Sequence, residues 1–212
     1  MASSSRALPQ EPIRRYSNWA VSFHWITVVL VLAQACLGFA FSLAAEGPGR
    51  AEVFTWHKTV GALILLITLA RLAYRLTNPP PAFPPDLPAW EATVATWHHR
   101  LFYFLLIAMP LSGLTAVSGH TTGATTPLVG GIPLPVIPGV SESVGEVFGG
   151  VHVALVAVLL IAIVVHVAAA LKHQFVDHIP AAGRMPPFRP GRGKSVVIGQ
   201  GHRAQPISAM RG

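Results

Sequence analysis

The sequence predicts an all-α fold: an integral membrane four-helix bundle forming one domain, with a polar segment at each end. Three observations carry this expectation. The 212 residues are 52% hydrophobic and only 11% charged, whereas a soluble domain is roughly a quarter charged. Mean hydropathy is +0.54. Four apolar runs, each long enough to cross ~30 Å of hydrocarbon as a helix, are separated by Pro- and Gly-rich breaks. The expected divisions are 1–15, 16–180 and 181–212.

Residues 1–15 are rich in Ser, Pro and Arg and are expected to be disordered. Ser17 or Asn18 can cap a first helix that runs to about Leu43. Glu46-Gly47-Pro48-Gly49-Arg50 forms a turn. A second helix runs from about Phe54 to Leu76 and ends in Arg71 and Arg75. Asn78 and three prolines stop it, because proline lacks the amide hydrogen a helix needs. A Pro-rich connector reaches Pro88, and a third helix covers roughly Trp90 to Val117, with Pro110 expected to kink it. Residues 119–140 hold Gly, Pro and Thr without Lys, Arg, Asp or Glu, as an external loop or re-entrant cap. Ser143 and Glu146 have capping-box spacing for a fourth helix that continues to His173. Beyond Pro180 lies a basic Pro/Gly tail with six Lys/Arg and no acid, expected to be disordered.

Four spans place both termini on one side of the bilayer. That side would hold thirteen of the 15 Lys/Arg, and the opposite loops only Arg50 and Lys58. The positive-inside rule then predicts cytoplasmic termini. The formal charge of +7 is explained by this flanking pattern, so no nucleic-acid partner is implied. The first apolar run is longer than a signal-peptide core and contains His24, so no cleavable signal is expected. The single Cys36 excludes an intrachain disulfide and any Cys-based zinc or iron–sulfur site. Trp19, Trp25, Trp56, Trp90 and Trp97 fall near the expected interfaces, as in an aromatic belt.

The chemistry lies in the histidines. His152 and His166 are 14 positions apart on the fourth helix. At ~100° and ~1.5 Å per residue they share a face and stand roughly 21 Å apart. His24 lies near the terminus-side end of the first helix, level with His166. His57 opens the second helix, level with His152. Imidazole is costly in hydrocarbon without a partner. Two level-matched pairs suit two six-coordinate b-type haems, which need no Cys. The bundle is therefore expected to enclose two b haems, and the missing Cys-x-x-Cys-His motif excludes covalent attachment.

Other residues fit this arrangement and also have plainer readings. Gly38 is 14 after His24 and Gly61 is one turn from His57, so both would let a porphyrin approach the backbone, or simply let helices pack. Arg71 is 14 after His57 and would meet haem propionates, or snorkel to the interface. Arg75 is expected to snorkel. His98 and His99 are expected near the terminus-side surface, His99 as a neighbour of the ligands. His173, seven after His166 and beside Lys172, is placed to protonate a quinone headgroup, or merely to anchor at the interface. His120, His178 and His202 fall in loops or the tail.

With these pieces the chain resembles the bacterial cytochrome b561 family over roughly residues 14–187. The matching segments are Phe23-His24-Trp25, Trp56-His57-Lys58-Thr59-Val60-Gly61, His99 with Leu101-Phe102-Tyr103, Ala108 to Gly113, Val151-His152, and His166 to His173. The resemblance implies a di-haem protein of the bacterial inner membrane with axial ligands His24, His57, His152 and His166. It also implies electron exchange with ubiquinone at a cytoplasmic site matching His173 and, in some members, oxidation of periplasmic superoxide. The outer loops here carry Arg50 and Lys58 against Glu46, Glu52, Glu142 and Glu146, a net of −2, which does not attract an anionic substrate.

Three functions are open on these residues. One is a self-contained quinone-linked oxidoreductase, passing electrons between an external donor and membrane ubiquinone. Another is a cytochrome b subunit serving a partner dehydrogenase, hydrogenase or c-type cytochrome. The third, a proton or metal pathway, would need acidic groups within the spans, and none occur between 18–44, 56–77, 101–118 or 148–176.

Overall fold

A computed structural model describes residues 15–84, 87–179 and 185. The expectations for 1–15 and 181–212 lie outside the described residues, apart from Arg15 and Met185.

Four long helices form, each apolar and long enough to cross a membrane. Helix α1 spans Asn18–Leu43 and is capped as expected, Ser17 Oγ accepting from the Ala20 amide at 3.2 Å. Helix α2 spans Pro48–Thr77. It starts well before the expected Phe54, because Pro48 suits the first helical turn, where no amide donor is needed. His57 therefore lies within α2 rather than opening it. Helix α3 spans Ala89–Gly119 and continues through Pro110. Helix α4 spans Glu142–Leu171. Its cap is Ser141, which accepts from the Val144 amide, two residues before the expected Ser143. After Leu171 the backbone widens into a π turn over Lys172–Val176. That turn closes with the Asp177 amide donating to the Lys172 carbonyl, 3.0 Å.

The expected irregular loop between α3 and α4 contains a small antiparallel ribbon. Strand β1, Thr125–Pro127, pairs with β2, Pro133–Pro135, around a turn at 129–131. Gly130 and Gly131 in that turn take positive φ, which side-chain-bearing residues resist. The ribbon is fastened to α2: Lys58 Nζ donates to Thr126 Oγ1 at 2.6 Å, and the Val129 amide donates to Thr59 Oγ1 at 3.0 Å.

Helix α3 packs on α4, α1 on α2, and α2 on α3. At the ribbon end α3 and α4 meet backbone to backbone. A Cβ on Gly119 would stand 2.7 Å from the Gly145 Cα, so neither position can accept a side chain without separating the helices. The buried core is Val60, Ile64, Leu105, Leu106, Met109, Leu159 and Ala162, with Leu30, Val31 and Leu37 of α1 packed against it. These residues lie between the two histidine levels along the bundle. The remaining large apolar side chains, such as Val29, Leu32, Leu66, Phe104, Ile161 and Val164, face outward, as lipid contact requires.

Candidate functional site

The helices bring both expected histidine pairs together. Nearer the termini, the rings of His24 on α1 and His166 on α4 lie 6.5 Å apart, centre to centre. Nearer the ribbon, His57 on α2 and His152 on α4 lie 6.1 Å apart. A metal shared by two imidazoles needs two bonds of about 2 Å and about 1.1 Å from each nitrogen to its ring centre, roughly 6.2 Å in all. Both pairs meet that requirement.

Neighbours orient the rings. His152 Nδ1 donates to the Met109 carbonyl at 2.9 Å and lies 3.3 Å from Ser112 Oγ. A carbonyl only accepts, so Nδ1 carries the hydrogen and Nε2 presents its lone pair, the arrangement a metal ligand needs. Gly113 makes room for this ring: a Cβ there would stand 3.1 Å from Cε1 and Nδ1. His57 Nε2 lies 3.1 Å from Gln34 Nε2, while its Nδ1 and Gln34 Oε1 are buried without partners. An unpaired polar atom in an apolar interior costs about 1–3 kcal/mol; with the Gln34 amide turned over, its Oε1 accepts from His57 Nε2–H and Nδ1 offers a lone pair that a metal would satisfy. Gly38 seats the His57 ring, its would-be Cβ 3.4 Å from Cε1, and Gly61 seats the Gln34 amide at 3.3 Å. These two contacts are to protein groups.

The level of His24 and His166 is richer in histidine than expected. His98 stacks on His166 at 5.8 Å with planes only 6° apart, and its Nε2 donates to the Ala162 carbonyl. His99 meets His166 edge-on at 5.6 Å, and its Nδ1 donates to the Ala95 carbonyl at 2.6 Å. Neither is a surface residue; α3 packs both against α4, in the part of the helix that precedes its apolar stretch. Arg71 faces the same level, acting electrostatically on both His24 and His166. Arg75 joins it: both guanidinium groups lie over the Tyr103 ring, at 5.7 and 5.8 Å, so Arg75 does not simply reach for the interface. The two arginines line a cavity of about 300 Å³ with Arg15, Tyr16 and Tyr74. That cationic pocket suits carboxylates such as haem propionates.

His173 and Lys172 do not line this cavity. They form a separate polar cluster on the π turn. His173 Nδ1 donates to Asp177 Oδ2 at 2.8 Å, and Lys172 Nζ bonds the same oxygen at 2.7 Å and Glu91 Oε1 at 3.2 Å. These two donors hold the Asp177 carboxyl below the usual carboxylate range.

A family model described as prokaryotic cytochrome b561 matches residues 15–187. The chain belongs to the prokaryotic cytochrome b561 family. Among its relatives in that family, cytochrome b561 homolog 2 of Escherichia coli K12 is 25% identical, over 81% of this chain and 90% of its own length. Cytochrome b561 homolog 1 of the same organism is 24% identical, over 84% and 99%. A protein of Yersinia pestis named probable superoxide oxidase CybB is 23% identical, over 84% and 99%. As a cytochrome b561 the chain is a multi-pass membrane protein of electron transfer that binds haem b.

Several residues of this cytochrome b561 site were not singled out in the sequence. Gln34 had a usable signal, since a buried amide midway along an apolar helix needs a reason. Glu91 and Asp177 gave none, because an acid just outside a span is ordinary until the fold places it on His173.

Proposed function

We propose that this cytochrome b561 is a transmembrane di-haem cytochrome b that transfers electrons between a donor on the ribbon side and membrane ubiquinone on the terminus side. The ribbon side is periplasmic and the terminus side cytoplasmic, in a bacterial inner membrane. The observation that supports this most is the pair of ring separations, 6.5 Å for His24 with His166 and 6.1 Å for His57 with His152.

In this reading each pair holds one b haem, which supplies one-electron chemistry by cycling between ferric and ferrous iron. Met109 and Ser112 keep the His152 ring in its ligating tautomer. Gly38 and Gly113 keep the His57 and His152 ring edges uncrowded, and Gly61 makes room for the Gln34 amide beside His57. Arg71 neutralises propionate charge on the terminus side. His173 and Lys172 face the quinone headgroup, His173 as proton donor and Lys172 as a positive charge beside the reduced oxygen.

Purified protein is expected to carry two b haems per chain by the pyridine haemochrome assay. Replacing His24 or His166 by Ala removes one of them, and replacing His57 or His152 removes the other. Loss of the same haem from His24→Ala and His57→Ala would overturn the pairing, and a folded, colourless protein grown with ample haem would overturn the whole reading.

The outer face favours a protein donor over superoxide as the source of electrons. Arg50 is tied to Glu46 at 3.3 Å and Lys58 to Thr126, so both outer cations are engaged within the chain. An acidic face suits a basic redox partner such as a c-type cytochrome, or places the chain as the cytochrome b subunit of a dehydrogenase or hydrogenase. Co-purification and steady-state reduction by a basic cytochrome, compared with a superoxide-generating system, separate these donors.

A further inference from the structure

The cluster on the π turn is short of one hydrogen bond. Glu91 Oε2 is buried and has no hydrogen-bond partner. It faces His173 Nε2 at 3.5 Å, just beyond a made hydrogen bond. The other ring nitrogen already donates to Asp177. A neutral His173 would therefore aim the Nε2 lone pair at a carboxylate oxygen, which is repulsive; a proton between the two atoms turns the contact into an attraction. Charge gives the same answer. Among the described residues, the charged groups touching His173 are Glu91 from α3 and Asp177 from the π turn, and Lys172 bridges both carboxylates. Two carboxylates and one ammonium leave one negative charge, which a single added proton neutralises.

We propose that Glu91 and His173 share one exchangeable proton and that this pair is the proton donor to the quinone oxygen. The proposal rests on the reading of His173 as the quinone site. Reduction of one quinone to the quinol takes two electrons and two protons. The electrons would be supplied one at a time by the haem that His24 and His166 would hold, and would come originally from the external one-electron donor. One proton leaves the Nε2–Oε2 edge for a quinone oxygen. The pair is then refilled from the cytoplasm past Asp177, which is only partly buried, and delivers the second proton in the same way. Glu91 thus does what Lys172 cannot: its Oε2 faces the second ring nitrogen of His173, so a transferable proton can be held there without leaving a net charge in the cluster.

The test uses Glu91→Gln in the full haem-loaded protein. Gln keeps the shape, and its amide can donate to Nε2, so the network closes without the extra proton. With a short-chain ubiquinone and pre-reduced protein, stopped-flow oxidation at pH 8 is expected to slow ~10-fold or more. The rate recovers as pH is lowered, and both haem spectra and midpoint potentials stay unchanged. Asp177→Asn, which weakens the grip on Nδ1, slows the reaction less. A wild-type rate and pH profile in Glu91→Gln, with His173→Ala slow, would overturn the shared proton and leave the quinone reading standing. An unchanged rate in His173→Ala would overturn the quinone reading itself. Independently of turnover, the midpoint of the His173 ring, followed by NMR, is expected to be lower in Glu91→Gln than in wild type, and equal midpoints overturn the pair.

Discussion

At the residue scale, the tightest fit in the haem region is between Gly113 and His152. An added methyl at Gly113 would stand 3.1 Å from two ring atoms, against 3.4 Å for one at Gly38 beside His57. The His152 ring cannot retreat without losing its bond to the Met109 carbonyl. Gly113→Ala is therefore expected to perturb the haem proposed for the His57–His152 pair, lowering its occupancy or shifting its midpoint potential, while Gly38→Ala has a smaller effect. Redox titration of the two variants checks the order, and a larger effect at Gly38 would show that His57, not His152, is the constrained ligand. His152 and His166 were legible in the sequence because a 14-residue spacing survives any detail of packing, and His24 and His57 because each lies at a matching depth in its apolar span. Their second neighbours were not. Met109 acts through a backbone carbonyl, which carries no sequence signal, and Glu91 reaches His173 from the first turn of α3, ahead of its apolar stretch.

At the element scale, all four spans were readable from apolar length and Pro/Gly breaks, with caps displaced by a few residues. The ribbon was not, since strands of three residues flanked by prolines have no alternation to detect. Its position depends on α2. Lys58 reaches Thr126, whose side chain is buried, so removing the ammonium leaves a hydroxyl without its partner. Lys58→Ala is expected to cost the ribbon about 1–2 kcal/mol. Amide exchange at Leu128 and Val136, which close the ribbon, should then quicken roughly ten-fold. Exchange at the wild-type rate would assign the hold to Thr59 and the prolines instead.

At the scale of the whole molecule, four spans and the Lys/Arg asymmetry predict both termini in the cytoplasm. Reporter fusions check this: a C-terminal green fluorescent protein should glow, and a C-terminal alkaline phosphatase should stay inactive. The opposite result would also move the proposed quinone side. The core between the two histidine levels then has an electrical consequence. Val60, Ile64, Leu105, Leu106, Met109, Leu159 and Ala162 carry no titratable group, and the buried Thr68 hydroxyl has no hydrogen-bond partner to pass a proton to. An electron that crosses this layer travels alone, so the protein behaves as a charged capacitor plate being filled from one side. The levels span roughly two-thirds of the hydrocarbon, so each inward electron works against an inside-negative membrane voltage by about 1.5 kcal/mol per 100 mV. A well-energised membrane would hold back inward flow and a discharged one would release it, letting the cell's own voltage set the direction of traffic between donor and quinone.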